Sequence, residues 1–556
     1  MRKSLLTILA LTAALPSTII AQGARAVPSA MSAIKQEDLK RDLYYLASDS
    51  MRGREAGTPD ELHASMWIAD QLRKIGVAPM GDNGTYFQWW ALRRTRLGSN
   101  SVVRIGNRSF TLWADILATG NNDADVSGTT IWAGDGSDTT IDMRGKVAIV
   151  QMSSQPTPPP ARGIQQPPYY RDANRAVMVQ GAALAQRGAG AVILVADEAG
   201  DRAYEAIKQL RMRGTYAVDG LAGGRGGRAT AANGAPIGTG AACGGPPLTA
   251  EELAAARGGG RGAAGAAGAA GAGGRGGAAG AGGRGGAPAT VPVFVVHRAM
   301  LDELRNDGKS ATIRLLRETF TYPSLNIVGV IRGTDPKLAN EYLLYSSHQD
   351  HDGVRYDFDG DSTWSGADDN GSVSVALLAT ARAFARQPAR RPVLFVYHGA
   401  EERGLLGSRY EVAHPIVPLK QIVAVLNGDM IGRNNPDTAS LMGVQPPHLN
   451  SRDLVAMALE ANALTGKFHL DSTWDRPTHI EGWYRRSDHL PYAEACVPAV
   501  EYSTNLHPDY HTPRDKPANI DYAKLARMAQ WMYLTGWFVA NADKRPALEP
   551  AFDVRR

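Results

Sequence analysis

The residues best suited to chemistry are two histidines and three carboxylates in the second half of the chain. They are His348, Asp368, Glu402, Asp429 and His511, within the motifs H-Q-D (348–350), G-A-D-D-N-G-S (366–372), A-E-E-R-G-L-L-G-S (400–408), N-G-D-M-I-G (427–432) and Y-H-T-P-R-D (510–515). Imidazole and carboxylate groups are common zinc ligands, and one carboxylate can bridge two cations about 3.5–4 Å apart. These residues therefore predict a hydrolytic site with two metal ions.

The same pattern suggests a role for each residue. Asp368 is expected to bridge the two ions, with His348 and Asp429 completing one and Glu402 and His511 the other. Zinc lowers the pKa of a bound water to about 7, so a neighbouring general base can take its proton. Glu401, which precedes a predicted ligand, is the candidate base. Asp350 lies two residues from His348, on the same side of an extended chain, and is expected to accept the second ring N–H of His348.

Each motif taken alone has a simpler explanation. A His-x-Asp pair can be ordinary packing, Asp-Asp-Asn-Gly can cap a helix, and Glu-Glu can be a solvated helix face. Either Asp368 or Asp369 could cap a helix as well as bind a metal, and Asp429 could belong to a strand-end turn. The metal site is favoured because all five motifs follow predicted strands or lead into a predicted helix.

Apolar runs alternating with helical periodicity predict the elements that position these residues. Strands are predicted at 325–331, 341–346, 392–397, 422–426 and 498–502, and helices at 371–386, 404–412, 453–464 and 522–541. Such alternation predicts a largely parallel sheet covered by helices on both faces. Ligand groups of such sheets gather beyond the carboxyl ends of the strands, which is where the candidate residues fall.

The first half of the chain divides into two parts. Helical periodicity between 35 and 75 is followed by predicted strands at 86–92, 101–105 and 110–113. From 126 onward, strands at 145–152, 188–196 and 291–296 and helices at 174–187 and 298–306 predict a second, smaller α/β module. Residues 220–288, almost wholly Gly, Ala and Arg, are predicted to be a disordered loop within it.

The net charge of +5 does not indicate a nucleic-acid partner. Residues 220–288 hold six arginines against two glutamates, and Arg2 and Lys3 belong to a segment expected to be removed, so the remaining chain is close to neutral. The Arg-Gly-Gly repeats could also bind RNA, but a solvated insertion is the preferred interpretation for an exported protein.

The N-terminus predicts export to the periplasm or the medium. Arg2 and Lys3 precede an apolar run from Leu5 to Ala14 that is too short to span a bilayer, and small residues follow it. A buried N-terminal helix is the alternative. No stable membrane insertion is expected. For Cys243 and Cys496, which lie far apart in sequence, two free thiols are preferred over a disulfide.

The motifs quoted above resemble those of the M28 family of zinc peptidases, in family order, as does S-D-S-M-R-G-R-E-A-G-T near residue 50. The similarity covers most of 35–125 and 320–540. It implies a three-layer α/β/α peptidase domain, with a mixed, largely parallel sheet, and an inserted protease-associated (PA) domain. It also implies zinc binding by the five residues, Glu401 as general base, Asp350 behind a ligand, and contact of Tyr510 with the scissile carbonyl oxygen. Val373, where the family usually has Gly, is a departure from the pattern.

The predicted organisation has five parts. They are a signal peptide (1–26), the N-terminal part of the peptidase domain (27–125), a PA-like insertion (126–318), the zinc-binding catalytic part (319–545) and a tail (546–556). The predicted activity is that of an exported aminopeptidase with two zinc ions, acting on peptides. Three alternatives stay open: a carboxypeptidase or dipeptidase, a one-zinc enzyme of the glutaminyl cyclase type, and a receptor-like binding protein. In the first, Arg485 and Arg486 would hold a substrate carboxylate, but a solvated position is preferred for both.

Overall fold

The computed structural model of the chain describes residues 26–158, 167–219, 221, 243, 291–358, 360–549 and 552. Apart from Ala26, the predicted signal peptide lies outside the described residues. So does most of the predicted loop 220–288, apart from Leu221 and Cys243. None of the helices within the described ranges combines the length and apolar character needed to cross a membrane.

The described residues form twenty strands and ten α-helices. The strands are β1 (Ala78–Pro79), β2 (Phe87–Leu97), β3 (Val102–Ile105), β4 (Arg108–Phe110), β5 (Ile116–Ala118), β6 (Ala124–Trp132), β7 (Val147–Gln151), β8 (Ala191–Val195), β9 (Thr215–Val218), β10 (Val293–Val296), β11 (Ser310–Leu315), β12 (Arg317–Ile331), β13 (Tyr342–His348), β14 (Gly353–Phe358), β15 (Asp361–Trp364), β16 (Val393–His398), β17 (Ile422–Gly428), β18 (Thr438–Met442), β19 (His469–Leu470) and β20 (Ala499–Ser503). The helices are α1 (Gln36–Leu46), α2 (Pro59–Ile75), α3 (Pro168–Gln186), α4 (Glu198–Met212), α5 (Leu301–Leu304), α6 (Val373–Arg386), α7 (Leu406–Ala413), α8 (Arg452–Leu464), α9 (His489–Glu494) and α10 (Tyr522–Asn541).

The larger sheet has the strand order β19-β18-β20-β17-β13-β16-β12-β2-β9, with β1 paired to β12. Its centre is parallel, because β13 runs alongside β16 and β17 in the same direction, as β17 does alongside β20. The pairs of β12 with β16 and β2, and of β18 with β20, are antiparallel. The structure thus confirms the predicted α/β class with a mixed sheet.

Helices cover both faces of this sheet. The central strands are buried on both sides, which explains why they read as continuous apolar runs. Leu343 and Tyr345 point to a core shared with α1, α2, α6 and α10, whereas Leu344 between them points to a second core that includes α7 and α9. This alternation produces the three-layer α/β/α arrangement and leaves the carboxyl ends of the parallel strands at one edge.

A second sheet has the order β4-β3-β11-β6-β7-β8-β10-β5 and packs against α3 and α4. Its strands run from Val102 to Leu315, so it includes β3 and β4, which precede the predicted start of the insertion at residue 126. The connection between the sheets is the long antiparallel pair of β2 and β12. The chain also returns once to the larger sheet, because β9 pairs with β2.

Cys243 and Cys496 form a disulfide, so the preference for two free thiols was wrong. Their Cα atoms are 5.6 Å apart although 253 residues separate them in sequence. The main-chain N–H of Cys243 donates to the carbonyl of Phe552 at 3.2 Å, and Cys496 follows α9 closely. Long-range packing of this kind leaves no local signal, which is why the sequence did not favour the pairing.

The disulfide leads to a direct prediction. Peptide mapping of protein prepared without reductant is expected to yield one linked pair of peptides, joining the segments around Cys243 and Cys496. Removing the bond with Cys496→Ser should lower the free energy of unfolding by about 2–4 kcal/mol, as is typical of native disulfides. Two alkylatable thiols in the unreduced protein would contradict the pairing.

Candidate metal centre

The larger sheet delivers the candidate residues to one edge. His348 is the last residue of β13, Asp429 directly follows β17, and the turn after β16 carries Glu401 and Glu402. His511 lies in the loop between β20 and α10. Because β13, β16, β17 and β20 are parallel neighbours, their carboxyl ends meet, and side chains distant in sequence come together.

These side chains form two groups that could each hold a metal ion. The first contains His348, Asp369 and Asp429, and the second contains His351, Asp369, Glu402 and His511. In the first group, Nε2 of His348 lies 3.2 Å from Oδ1 of Asp369 and 3.7 Å from Oδ1 of Asp429. All the members are buried, and Asp369 belongs to both groups.

In the second group, Nε2 of His511 lies 3.1 Å from Oδ2 of Asp369 and 3.1 Å from Oε1 of Glu402. Nδ1 of His351 lies 2.8 Å from the same Oε1 of Glu402. The two carboxylate oxygens of Asp369 therefore face different groups, Oδ1 towards His348 and Oδ2 towards His511. This is the arrangement that a carboxylate bridging two cations requires.

Asp369, rather than the Asp368 expected from the sequence, is the residue that belongs to both groups. Oδ1 of Asp368 accepts a hydrogen bond from the main-chain N–H of Gly432 at 2.7 Å, and its Oδ2 lies 3.6 Å from Nε2 of His507. The carboxylate of Asp515 accepts from the main-chain N–H groups of both Asp368 and Asp369, which fixes the turn. Adjacent aspartates look equivalent in sequence, and only this turn geometry decides which one faces the site.

His351 is a site residue that the sequence analysis missed. It follows His348 by three residues, and the chain turns after β13 so that both imidazoles reach the site. His351 is fully buried, and neither of its ring nitrogens has a hydrogen-bond partner among the described residues. The motif H-Q-D-H did contain a signal, because a second histidine so near a predicted ligand could have been considered as a donor.

Several buried atoms in the two groups fit a bound cation. Nε2 of His348, Nδ1 of His351 and Oε1 of Glu402 make no hydrogen bond within the described part of the chain, although oxygen and nitrogen atoms lie close to one another. Buried polar atoms are normally satisfied. An ion in the first group would satisfy Nε2 of His348, and an ion in the second would satisfy Nδ1 of His351 and Oε1 of Glu402. The donor set of imidazole and carboxylate suits zinc.

The charges of the metal-free site also favour a cation. Burial lowers the pKa of His348, but Glu401, Asp369 and Asp429 outweigh it and raise that pKa well above its ordinary value. Burial likewise lowers the pKa of His511, and Glu402 and Asp369 outweigh it in the same way. Protonated imidazoles therefore balance the carboxylates when no metal is present, and a divalent cation would take over that positive charge.

Asp350 lies behind the site, where it was expected, but makes a different contact. Nδ1 of His348 lies 3.1 Å from the main-chain carbonyl oxygen of Asp350 and 3.8 Å from its carboxylate, so the carbonyl accepts the ring N–H. The carboxylate instead accepts from the main-chain N–H groups of Glu401 and Glu402, at 3.0 and 3.4 Å. Burial raises its pKa to about 6. Asp350 thus connects the end of β13 to the turn after β16.

Glu401 points towards the first group without belonging to it. Its Oε2 lies 3.8 Å from Nε2 of His348. Burial raises its pKa well above the ordinary value, and the neighbouring charges of Glu402 and Asp429 act in the same direction. A carboxyl with a raised pKa, beside but outside the metal groups, is suited to taking up a proton.

Tyr510 and Arg486 lie beside the second group. The ring of Tyr510 stacks on that of His511, with centroids 3.9 Å apart, and its hydroxyl accepts a hydrogen bond from Arg486 at 2.9 Å. Arg486 also donates to Glu481 at 2.9 Å and is partly buried, which differs from the solvated position expected from the sequence. Arg485, its neighbour, is exposed.

Comparisons with known proteins agree with the geometry. Residues 326–535 match the model of peptidase family M28. The aminopeptidase YwaD of Bacillus subtilis is 26% identical over 252 residues, covering 44% of this chain and 50% of that protein. The leupeptin-inactivating enzyme 1 of Streptomyces exfoliatus is 34% identical over 147 residues, covering 25% of this chain and 31% of that protein. The chain thus spans half or less of the length of these relatives.

Two solved structures are similar at low sequence identity. A zinc aminopeptidase of Bacillus subtilis has a TM-score of 0.48 at 18% identity, covering 95% of this chain and 100% of its own. The aminopeptidase of Aneurinibacillus sp. strain AM-1 has a TM-score of 0.47 at 17% identity, covering 93% and 96%. The matched residues 326–535 include every member of the two metal-binding groups. The match to peptidase family M28 therefore covers the part of the chain that forms the candidate metal centre.

Proposed function

We propose that the protein is an exported aminopeptidase that binds two zinc ions and removes residues from the N-termini of peptides. The observation that carries the proposal is the position of Asp369, whose two carboxylate oxygens face two separate groups of buried donors. The aminopeptidase direction is supported by relatives that bear that name, including YwaD and a probable leucine aminopeptidase of Arthroderma otae.

In this proposal His348, Asp369 and Asp429 hold one ion, and His351, Asp369, Glu402 and His511 hold the other. Zinc bound there would polarise a peptide carbonyl and acidify water. Two groups that share a carboxylate favour two ions over the single zinc of a cyclase-type enzyme. The complete donor set also argues against a protein that only binds ligands.

Glu401 is proposed to move the proton. Its buried carboxylate takes a proton from the attacking water and then delivers it to the leaving amine. The raised pKa favours the protonated form that the second step needs. The main-chain N–H of Glu401 is held by Asp350 at 3.0 Å, so the side chain starts from a fixed position.

Tyr510 is proposed to bind the carbonyl oxygen of the scissile bond. Because Arg486 donates to the hydroxyl oxygen of Tyr510, the phenolic proton is left to be donated to a substrate oxygen. Preorganised donors of this kind stabilise the negative charge that develops on that oxygen. Arg486 is already paired with Tyr510 and Glu481, which makes it a poorer receptor for the C-terminal carboxylate of a substrate.

Export and an inserted domain are also part of the proposed function. The disulfide between Cys243 and Cys496 is compatible with an oxidising compartment, which supports export. The second sheet with α3 and α4 is proposed to be an inserted domain of the protease-associated type.

A panel of peptides with free ends, blocked N-termini and blocked C-termini tests the function. We expect cleavage of free and C-blocked peptides, loss of that activity after treatment with a chelator, and recovery on adding zinc. A free α-amine should be required, so the rate on N-blocked peptides should fall to background. Efficient cleavage of N-blocked peptides would refute the aminopeptidase direction, and cyclisation of N-terminal glutamine would favour the one-zinc alternative.

A further inference from the structure

We propose that Arg213, which comes from the inserted segment, is a positioning residue for His511 and acts on it through Asp352. The proposal rests on the metal site of the proposed function, but its test reads metal affinity as well as peptide hydrolysis. It gives the inserted segment a role in the site itself, because Arg213 directly follows α4, which packs on the second sheet.

Asp352 is the centre of the contact. Its side chain is 1% exposed, and its Oδ1 accepts hydrogen bonds from Arg213 and from Arg403, both at 3.1 Å. Arg355 pairs with the same oxygen at 2.6 Å. Arg213 also donates to the main-chain carbonyl oxygen of Asp352 at 2.7 Å, so it holds the residue at two points.

The other carboxylate oxygen of Asp352 faces the site. Oδ2 is buried, makes no hydrogen bond within the described residues, and lies 3.5 Å from Nδ1 of His511. Nε2 of His511 is turned towards Asp369 and Glu402. With Nε2 directed at a metal, Nδ1 carries the ring proton, and Asp352 is the acceptor placed to receive it. A carboxylate in this position fixes the tautomer and ring orientation of a ligating histidine.

The arginine cluster explains why Arg213 is needed. Three guanidinium groups hold Oδ1 of Asp352, which leaves Oδ2 directed at His511. Glu55 joins two of them, lying 3.4 Å from Arg213 and 3.2 Å from Arg403. Without Arg213, the hydrogen bond to the main-chain carbonyl of Asp352 is lost, and Glu55 pairs with Arg403 alone. The carboxylate of Asp352 can then turn away from His511.

The position of Arg213 is fixed by the fold of the inserted segment. Gly214 adopts a φ of 73°, and a Cβ there would lie 2.1 Å from the carbonyl oxygen of Thr95, so only glycine fits this turn. The chain then enters β9 and pairs with β2 of the larger sheet. Tyr216 of β9 lies under the guanidinium of Arg403 at 5.5 Å. The inserted segment thus supplies Arg213 and, through Tyr216, also contacts Arg403, which follows Glu402.

The test compares Arg213→Gln and Arg213→Lys with Arg144→Gln in the full-length protein. Arg144 lies on the inserted segment, is 80% exposed and pairs only with Asp142 among the described contacts, so it serves as the matched control. Zinc affinity is measured by competition with a chromophoric chelator, and kcat and KM are measured on a peptide with a free N-terminus. Thermal unfolding of each variant reports whether it is folded.

We expect Arg213→Gln to lower the affinity for the zinc ion in the group that contains His511 by about 10–100-fold. This is the typical loss when an outer partner of a ligand is removed. The other ion should be unaffected, kcat should fall while KM changes less, and Arg213→Lys should recover part of the loss. If Arg213→Gln does not fold, the same comparison of the two ions is made on Arg213→Lys alone.

Unchanged zinc affinity in a folded Arg213→Gln would overturn the proposal. An equal loss of affinity for both zinc ions, together with a lower Tm, would also overturn it, because Arg213 would then have only a general structural role. Wild-type protein that binds two zinc ions but cleaves no peptide would refute the proposed activity and leave this test of Arg213 intact.

Discussion

Replacing Glu401 by glutamine is expected to lower kcat by about 10³-fold while both zinc ions stay bound, since general acid–base groups contribute about 10²–10⁴-fold. Glutamine keeps the shape of the side chain but cannot accept the proton of the attacking water. Glu401 belongs to neither metal-binding group, although its Oε2 lies only 3.8 Å from Nε2 of His348. The measurement is kcat on a peptide with a free N-terminus, together with zinc content per chain.

Glu411→Gln is the matched control for this change. Glu411 is a buried carboxyl on α7 that accepts from the main-chain N–H of Ile416 at 3.1 Å, and burial raises its pKa to about 7. It lies outside both groups, so its replacement should leave kcat within about twofold. Near-normal turnover of Glu401→Gln would remove Glu401 from the proton-transfer role, and loss of zinc in that variant would place it among the ligands.

Asp369→Asn is expected to weaken the binding of both zinc ions and to abolish measurable activity. Burial and Glu402 act to raise the pKa of Asp369, but the neighbouring imidazoles of His348 and His511 hold that pKa below its ordinary value, so the carboxylate is ionised. An amide removes that charge and puts a donor where one of the two groups needs an acceptor. The loss of zinc affinity should be larger than the loss of about 10–100-fold that follows removal of an outer partner of a ligand, and it should appear at both zinc sites.

Asp368→Asn is the sharpest comparison because it changes the adjacent residue in the same way. The amide oxygen can still accept from the N–H of Gly432, and the amide nitrogen can face His507. Zinc content should therefore stay at two per chain, and activity should remain within about tenfold. If Asp368→Asn lost the metals and Asp369→Asn kept them, the sequence-based assignment of the bridge would be right and the geometry wrong.

Much of the fold could be predicted because its signals are local. The strands β13, β16, β17 and β20 are buried on both faces, so each reads as an apolar run bounded by polar residues. Helix α10 occupies 522–541 as predicted, since its apolar positions recur over five turns and Asp521 caps its first turn by accepting from Lys524. Because ligand groups gather beyond the carboxyl ends of parallel strands, His348, Glu402, Asp429 and His511 could then be predicted to lie at one edge of the sheet.

The remaining features depend on contacts that the sequence does not encode locally. The choice between Asp368 and Asp369 is made by Asp515, which binds both main-chain N–H groups from another loop. His351 joins the site only because the chain turns after β13. The pairing of Cys243 with Cys496 depends on chain segments brought together in the fold. Predicted strands near residue 101 belong to the second sheet because β3 pairs with β11, some 200 residues away.

In the proposed function, the carboxylate of Asp369 lies between two zinc ions. The most direct test is anomalous X-ray diffraction at the zinc absorption edge from crystals of protein purified with zinc. We expect two anomalous peaks, one beside His348 and Asp429 and the other beside Glu402 and His511, with Asp369 in contact with both. A single peak, no peak, or a pair of peaks that does not touch Asp369 would contradict it.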